Sequence, residues 1–148
     1  VSGRPFSATL PGYESLYPAV QLGLAVDRAE LDTRITARTG QMFAAGLVEE
    51  VARLERAGLR EGKTASRALG YAQVLRFLAG DGTLDEARAQ TILATKRFVR
   101  RQESWFRRDP RVTWLPAGAA DAGDLLERAL ATIGPCGSRK GTAPRTTS

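Results

Sequence analysis

Apolar residues follow two different rhythms along the chain. Nearly every position at 19–26 is apolar, as expected for a strand covered on both faces, and the run ends at Asp27. From there the period becomes helical. Asp27 fits a helix N-cap, with Glu30 three residues on in capping-box spacing, and the helix is expected to run to about Ala45 and stop at Gly46. A second helix, from Leu47 to about Ala57, carries Leu47, Val51 and Leu54 on one stripe. After a turn rich in glycine and charge, a third is expected from about Arg67 to Ala79. Thr83 and Glu86 form another capping box that opens a long helix to about Arg108, where Asp109-Pro110 ends it. Residues 112–115 read as a short strand and 121–133 as a last helix, while 1–18 read as loop.

A strand, a set of helices and a returning strand fit the edge of an α/β sheet whose other strands lie outside this sequence. The expected domain spans 1–133, with one long buried strand and one short one. Residues 134–148 are expected to be a disordered tail. The chain opens on Val1 in a loop-like stretch, which suggests truncation.

Composition narrows the chemistry. The single cysteine, Cys136, excludes a disulfide framework or a zinc cluster and fits a reducing cytoplasm, and the absence of histidine excludes His-based acid–base catalysis. No apolar run approaches the roughly 20 residues of a membrane span, so no membrane association is expected. The segment 57–64, A-G-L-R-E-G-K-T, matches a permissive phosphate-loop pattern. That chemistry needs a strand before the loop and a helix opening directly after Lys63-Thr64, whereas 48–56 has helical period, so the expected structure is a helix end at Gly58 and an exposed turn.

Charge adds a direction. The net charge is +6, yet 96–108 alone carries six cations against Glu103 and the tail adds three more, leaving the remaining residues slightly negative. At about 100° per residue, Lys96, Arg97, Arg100, Arg101, Arg107 and Arg108 fall within an arc of about 140°. Phe98, Val99, Gln102, Trp105 and Phe106 occupy the other side, where they are expected to serve the protein's own core. The basic arc suits a phosphate backbone; a solvated basic face and a membrane-surface helix are the alternatives.

The same helix carries a recognisable pattern. Residues 94–107, A-T-K-R-F-V-R-R-Q-E-S-W-F-R, resemble the signature of tRNA dimethylallyltransferases, typically A-T-R-x-x-A-K-R-Q-x-T-W-x-R. Residues 66–73, S-R-A-L-G-Y-A-Q, are similar to that family's (I/V)-G-Y-(R/K)-Q segment. Residues 31–46 resemble its L-x-x-R-I-x-x-R helix followed by M-x-x-x-G, and Ser2-Gly3-Arg4-Pro5 resembles its S/T-G-K/R-P turn. Order and spacing agree from Val1 to about Leu115. Ala72 stands where a basic residue is usual, and Ser104 replaces the usual Thr while keeping the hydroxyl.

The resemblance implies the carboxyl-terminal, mostly helical part of a phosphate-loop NTPase-like α/β fold, with the nucleotide-binding and ATP-binding character of that class. It implies transfer of a dimethylallyl group from dimethylallyl diphosphate to the exocyclic amine of the adenosine 3′ of the anticodon, with magnesium. The family's phosphate loop and catalytic Asp would precede Val1 and would bind most of the magnesium. No catalytic residue or metal ligand is therefore assigned here, and the chain alone is expected to be inactive. Arg38 is the expected ligand of the prenyl diphosphate. Arg67, Ala68, Leu69, Gly70, Tyr71 and Ala72 are expected to contact the tRNA anticodon stem-loop, as are Arg100, Arg101, Gln102, Glu103, Ser104, Trp105, Phe106 and Arg107. A cytoplasmic monomer is expected; the alternative is a non-catalytic RNA-binding module.

Overall fold

The computed structural model describes Tyr13, residues 17–119 and residues 123–134. The S-G-R-P turn at 2–5, Cys136 and the tail after Gly134 lie outside the described residues. The chain divides into two compact units. One is Val26–Trp105, and the other is built from the segments on either side of it.

The flanking unit holds a two-stranded parallel sheet, β1 (Gln21–Ala25) beside β2 (Val112–Pro116), with Gly23 opposite Trp114 in the register. A parallel pair cannot be joined by a hairpin, and here all of Val26–Trp105 lies in the crossover. Helix α5 (Leu125–Ile133) packs on β2, and Arg128 donates to the Pro116 carbonyl at 2.8 Å. The expectation of a long strand buried on both faces is corrected. β1 has five residues, no more than β2, because the pairing begins at Gln21, and Leu24 is 58% exposed. Ala19 and Val20 are apolar but stand outside the ladder.

The helical unit contains α1 (Arg28–Ala44), α2 (Leu47–Arg56), α3 (Tyr71–Leu78) and most of α4 (Leu84–Phe106). Asp27 caps α1 as expected, its carboxylate accepting from the Ala29 and Glu30 amides at 2.8 and 3.1 Å. Thr83 and Glu86 form the reciprocal box at the start of α4: the Thr83 amide donates to the Glu86 carboxylate and the Glu86 amide to the Thr83 hydroxyl. The phosphate-loop lookalike is a helix end. α2 stops at Arg56, Gly58 adopts φ +91° and a 3-10 turn follows at Leu59–Glu61.

The expected third helix begins later than its apolar pattern suggests. Residues 65–67 form a separate 3-10 turn, Ala68 is extended, and α3 opens only at Tyr71. Gly70 is the reason. Its φ of +91° and ψ of −51° leave the region that L side chains adopt, and its amide donates to the Gln73 side chain at 2.9 Å.

The core of this unit is Leu47 and Val51 of α2 against Val74 and Leu75 of α3, lined by Met42, Phe43 and Tyr71. Leu75→Ala should lower stability by about 2–5 kcal/mol, the range for deleting a buried leucine side chain. Urea unfolding reads this directly, and a loss under about 1 kcal/mol would mean the site collapses to fill the void.

Candidate nucleic-acid interface

Helix α4 organises the site because two other elements are fixed to it. Lys96 pairs with Asp32 of α1 at 3.3 Å, and Glu103 pairs with Arg28 at 3.6 Å, so two ion pairs bridge α1 and α4. On another side of α4, Thr91 is buried close to Gly70: a Cβ added there would lie 3.8 Å from the Thr91 methyl and 3.6 Å from Leu47. The Gly70-Tyr71 turn and the α1 helix are therefore both anchored to the helix that carries the basic arc.

The arc is smaller than its helical projection suggests. Lys96 is half-buried in its pair with Asp32, so its charge is partly met within the protein. Glu103 likewise serves the α1 contact. Arg97, Arg100, Arg101 and Arg108 are exposed, and among the described residues no ion pair neutralises them. Mutual repulsion is tolerable for such a row in water and becomes an attraction beside a polyanion. Arg107 is exposed and lies over the Trp114 ring, 5.0 Å from its centroid.

The other side of α4 departs from expectation. Phe98, Trp105 and Phe106 are 41%, 59% and 43% exposed, while the buried positions are Ala87 and Thr91 nearer the helix start. The seam with α1 carries two ion pairs between charged side chains. Gln102 and Ser104 are exposed beside them. Aromatic faces interleaved with arginines are the ingredients of a surface that stacks bases and holds phosphates.

At the second motif, Arg67, Ala68 and Leu69 are exposed on the approach to Gly70, while Tyr71 and Ala72 are half-buried at the start of α3. The Tyr71 hydroxyl donates to the Glu50 carboxylate, which raises the phenol above its ordinary range; burial and the Glu50 charge act in the same direction. The bond requires the protonated phenol, so its contribution is complete below the ordinary tyrosine range and is lost as pH rises through the raised value. Tyr71 thus has a packing role. Gly70→Ala meets ordinary contacts rather than a clash, so its cost is backbone strain of about 1–3 kcal/mol. Thermal unfolding should show that loss, and an unchanged midpoint would mean the turn relaxes into another conformation.

Arg38 and Arg34 share a face of α1 but differ in state. Arg34 is paired with Glu30, whereas Arg38 is exposed and has no ion pair among the described residues. Buried Ile35 and Thr39 flank Arg38 in sequence and fix its helix. Arg38 sits about 120° round α1 from Asp32, away from the α4 seam, so it is not gathered into one cluster with the α4 arginines. No group of three or more His, Cys, Asp or Glu that could hold a metal ion occurs among the described residues. No helix of the described residues is long and apolar enough to cross a membrane.

Residues 1–109 match the family described as IPP transferase. The chain belongs to that family. It is 62% identical over 133 residues to a tRNA dimethylallyltransferase of Thermobifida fusca, covering 90% of this chain and 41% of that protein. A Streptomyces coelicolor tRNA dimethylallyltransferase is 61% identical, again over 90% of this chain and over 43% of its own length. The chain thus spans about two fifths of the curated relatives it matches. It shares the fold of the corresponding part of the full-length tRNA isopentenylpyrophosphate transferase from Bacillus halodurans, with a TM-score of 0.73 at 32% identity over 77% of this chain and 37% of that one. The Staphylococcus epidermidis tRNA isopentenylpyrophosphate transferase shares the fold, with a TM-score of 0.70 at 24% identity over 79% of this chain and 38% of its own. This IPP transferase segment is mostly helical with a short parallel sheet, as in those structures.

Proposed function

We propose that the protein carrying this sequence transfers a dimethylallyl group from dimethylallyl diphosphate to the exocyclic amine of the adenosine 3′ of the anticodon. The observation that carries the reading is the row of exposed, unneutralised arginines on α4, beside exposed aromatic residues, in a chain whose relatives are named tRNA dimethylallyltransferase. In this reading the helical unit grips the anticodon stem-loop. Arg97, Arg100 and Arg101 take backbone phosphates. Trp105 and Phe106 offer faces to unstacked bases, and the Arg67–Tyr71 turn closes on the same loop. A target base must leave its stack at a cost of a few kcal/mol, which such contacts offset.

In the transfer the allylic carbon–oxygen bond breaks and the carbon–nitrogen bond forms. The amine gives its proton to a carboxylate base, the catalytic Asp that the family resemblance implies outside this sequence, and diphosphate leaves as the anion. Negative charge grows on the departing diphosphate, and Arg38 is the cation assigned to it, since a guanidinium meets phosphate oxygens with paired hydrogen bonds. The phosphate-loop-type relation of the whole fold belongs to this proposal, as does action as a monomer in the cytoplasm. Magnesium is given no ligand and no step among the described residues.

The test uses the full-length protein, dimethylallyl diphosphate labelled in its prenyl group, and tRNA. Label should pass to the RNA, and an isolated anticodon stem-loop should compete. Binding of tRNA without transfer of label would instead support a non-catalytic RNA-binding module.

A further inference from the structure

Arg107 closes the α4 motif, but its surroundings differ from those of Arg100 and Arg101. Its guanidinium lies 5.0 Å from the centroid of the Trp114 ring, in β2. Trp114 is itself held from the neighbouring strand. It stands opposite Gly23 in the parallel register, and a Cβ at Gly23 would come within 2.7 Å of the indole Cε3 and 2.9 Å of Cδ2. Val112 would stand 2.8 Å from the same Cβ. These atoms approach closer than a real Cβ permits, so the indole occupies the space that any larger residue at position 23 would fill. Glycine in a strand interior weakens the strand, and close approach by another group is a common reason for it. Here the approaching group is an aromatic ring that carries an arginine.

We propose that Trp114 is a positioning residue for tRNA binding: its indole, seated on Gly23, holds the Arg107 guanidinium in the orientation that meets an RNA phosphate. The proposal rests on the reading of Arg107 as a tRNA contact. Its physical basis is entropic as well as electrostatic. An exposed arginine loses considerable rotamer freedom when it grips a phosphate. An arginine already held over an indole has lost part of that freedom on folding, so less remains to be lost when it meets a phosphate. Arg100 and Arg101 have no such support among the described residues, so Arg107 should contribute more per contact than they do.

A double-mutant cycle on tRNA affinity in the full-length protein tests this. Trp114→Val keeps a strand-compatible residue and should weaken tRNA binding roughly fivefold, within the range of a cation–π contact. In an Arg107→Ala background the same change should have no further effect, and Trp114→Phe should recover most of the affinity in the Arg107 protein. Gly23→Ala, which displaces the indole without removing it, should reproduce the loss and replaces Trp114→Val in the cycle if that variant does not fold. Equal losses with and without Arg107 would overturn the proposal and leave Trp114 as framework alone. If Arg107→Ala by itself leaves tRNA affinity unchanged, the underlying reading of Arg107 as an RNA contact fails as well.

Discussion

Replacing Arg38 by Gln is expected to lower kcat/KM for the prenyl diphosphate by roughly 10²- to 10³-fold, the effect of losing one preorganised oxyanion donor. The expectation rests on placement and on charge. The buried side chains of Ile35 and Thr39 hold α1 in place, so the Arg38 backbone is fixed, while its guanidinium is exposed and not spent on an internal ion pair. Arg34, one turn earlier, is committed to Glu30. A fixed cation stabilises the departing diphosphate more than the bound ground state, because charge accumulates on it as the carbon–oxygen bond opens. Affinity for tRNA should hardly change. Steady-state kinetics with each substrate varied in turn separates the two, and a defect confined to tRNA affinity would return Arg38 to the class of ordinary surface arginines.

The second large effect is expected on α4. Changing Arg100 and Arg101 together to Ala should weaken tRNA binding and reduce the dependence of log affinity on log salt by about two units, about one for each phosphate contact removed. Both side chains are exposed, and neither has an ion pair to lose among the described residues, so stability should stay nearly constant. Lys96→Ala is the internal contrast. It breaks the pair with Asp32 and should loosen α1 from α4 without altering the salt slope. A slope unchanged in the double variant, together with a lower unfolding midpoint, would make these arginines structural.

Features governed by neighbouring residues are legible in the amino-acid order itself. Asp27 as a cap, the Thr83–Glu86 box, the end of α2 near Gly58 and the end of α4 before Asp109-Pro110 all depend on local hydrogen bonding, and the residue types announce it. The start of α3 is not legible in this way. The pattern at 67–70 suits a helix, but Gly70 takes a positive φ, with a local bond to Gln73 and with Leu47 and Thr91 packed nearby, and the apolar rhythm carries no sign of that turn.

The candidate site divides along the same line. Helical spacing locates the basic arc and its aromatic counterpart. It cannot reveal that Lys96 and Glu103 are consumed by Asp32 and Arg28, which lie more than 60 residues earlier in the chain. Nor can it reveal that Phe98, Trp105 and Phe106 remain exposed, because a projection shows which side chains share a face and not what covers them. Trp114 and Gly23 carry no signal beyond lying in strands; their pairing with Arg107 requires the parallel register. An acidic residue one or two turns from a cation, like Glu30 beside Arg34, is the kind of local cue that separates Arg34 from Arg38.

We propose that this chain belongs to a protein that prenylates tRNA beside the anticodon. Mass spectrometry of nuclease fragments of tRNA, after incubation with the full-length protein and dimethylallyl diphosphate, tests it most directly. One dimethylallyl group is expected on the adenosine 3′ of the anticodon, strongly reduced by Arg38→Gln at equal tRNA occupancy. Fully bound tRNA that carries no prenyl group, or carries it at some other nucleotide, would rule out this activity.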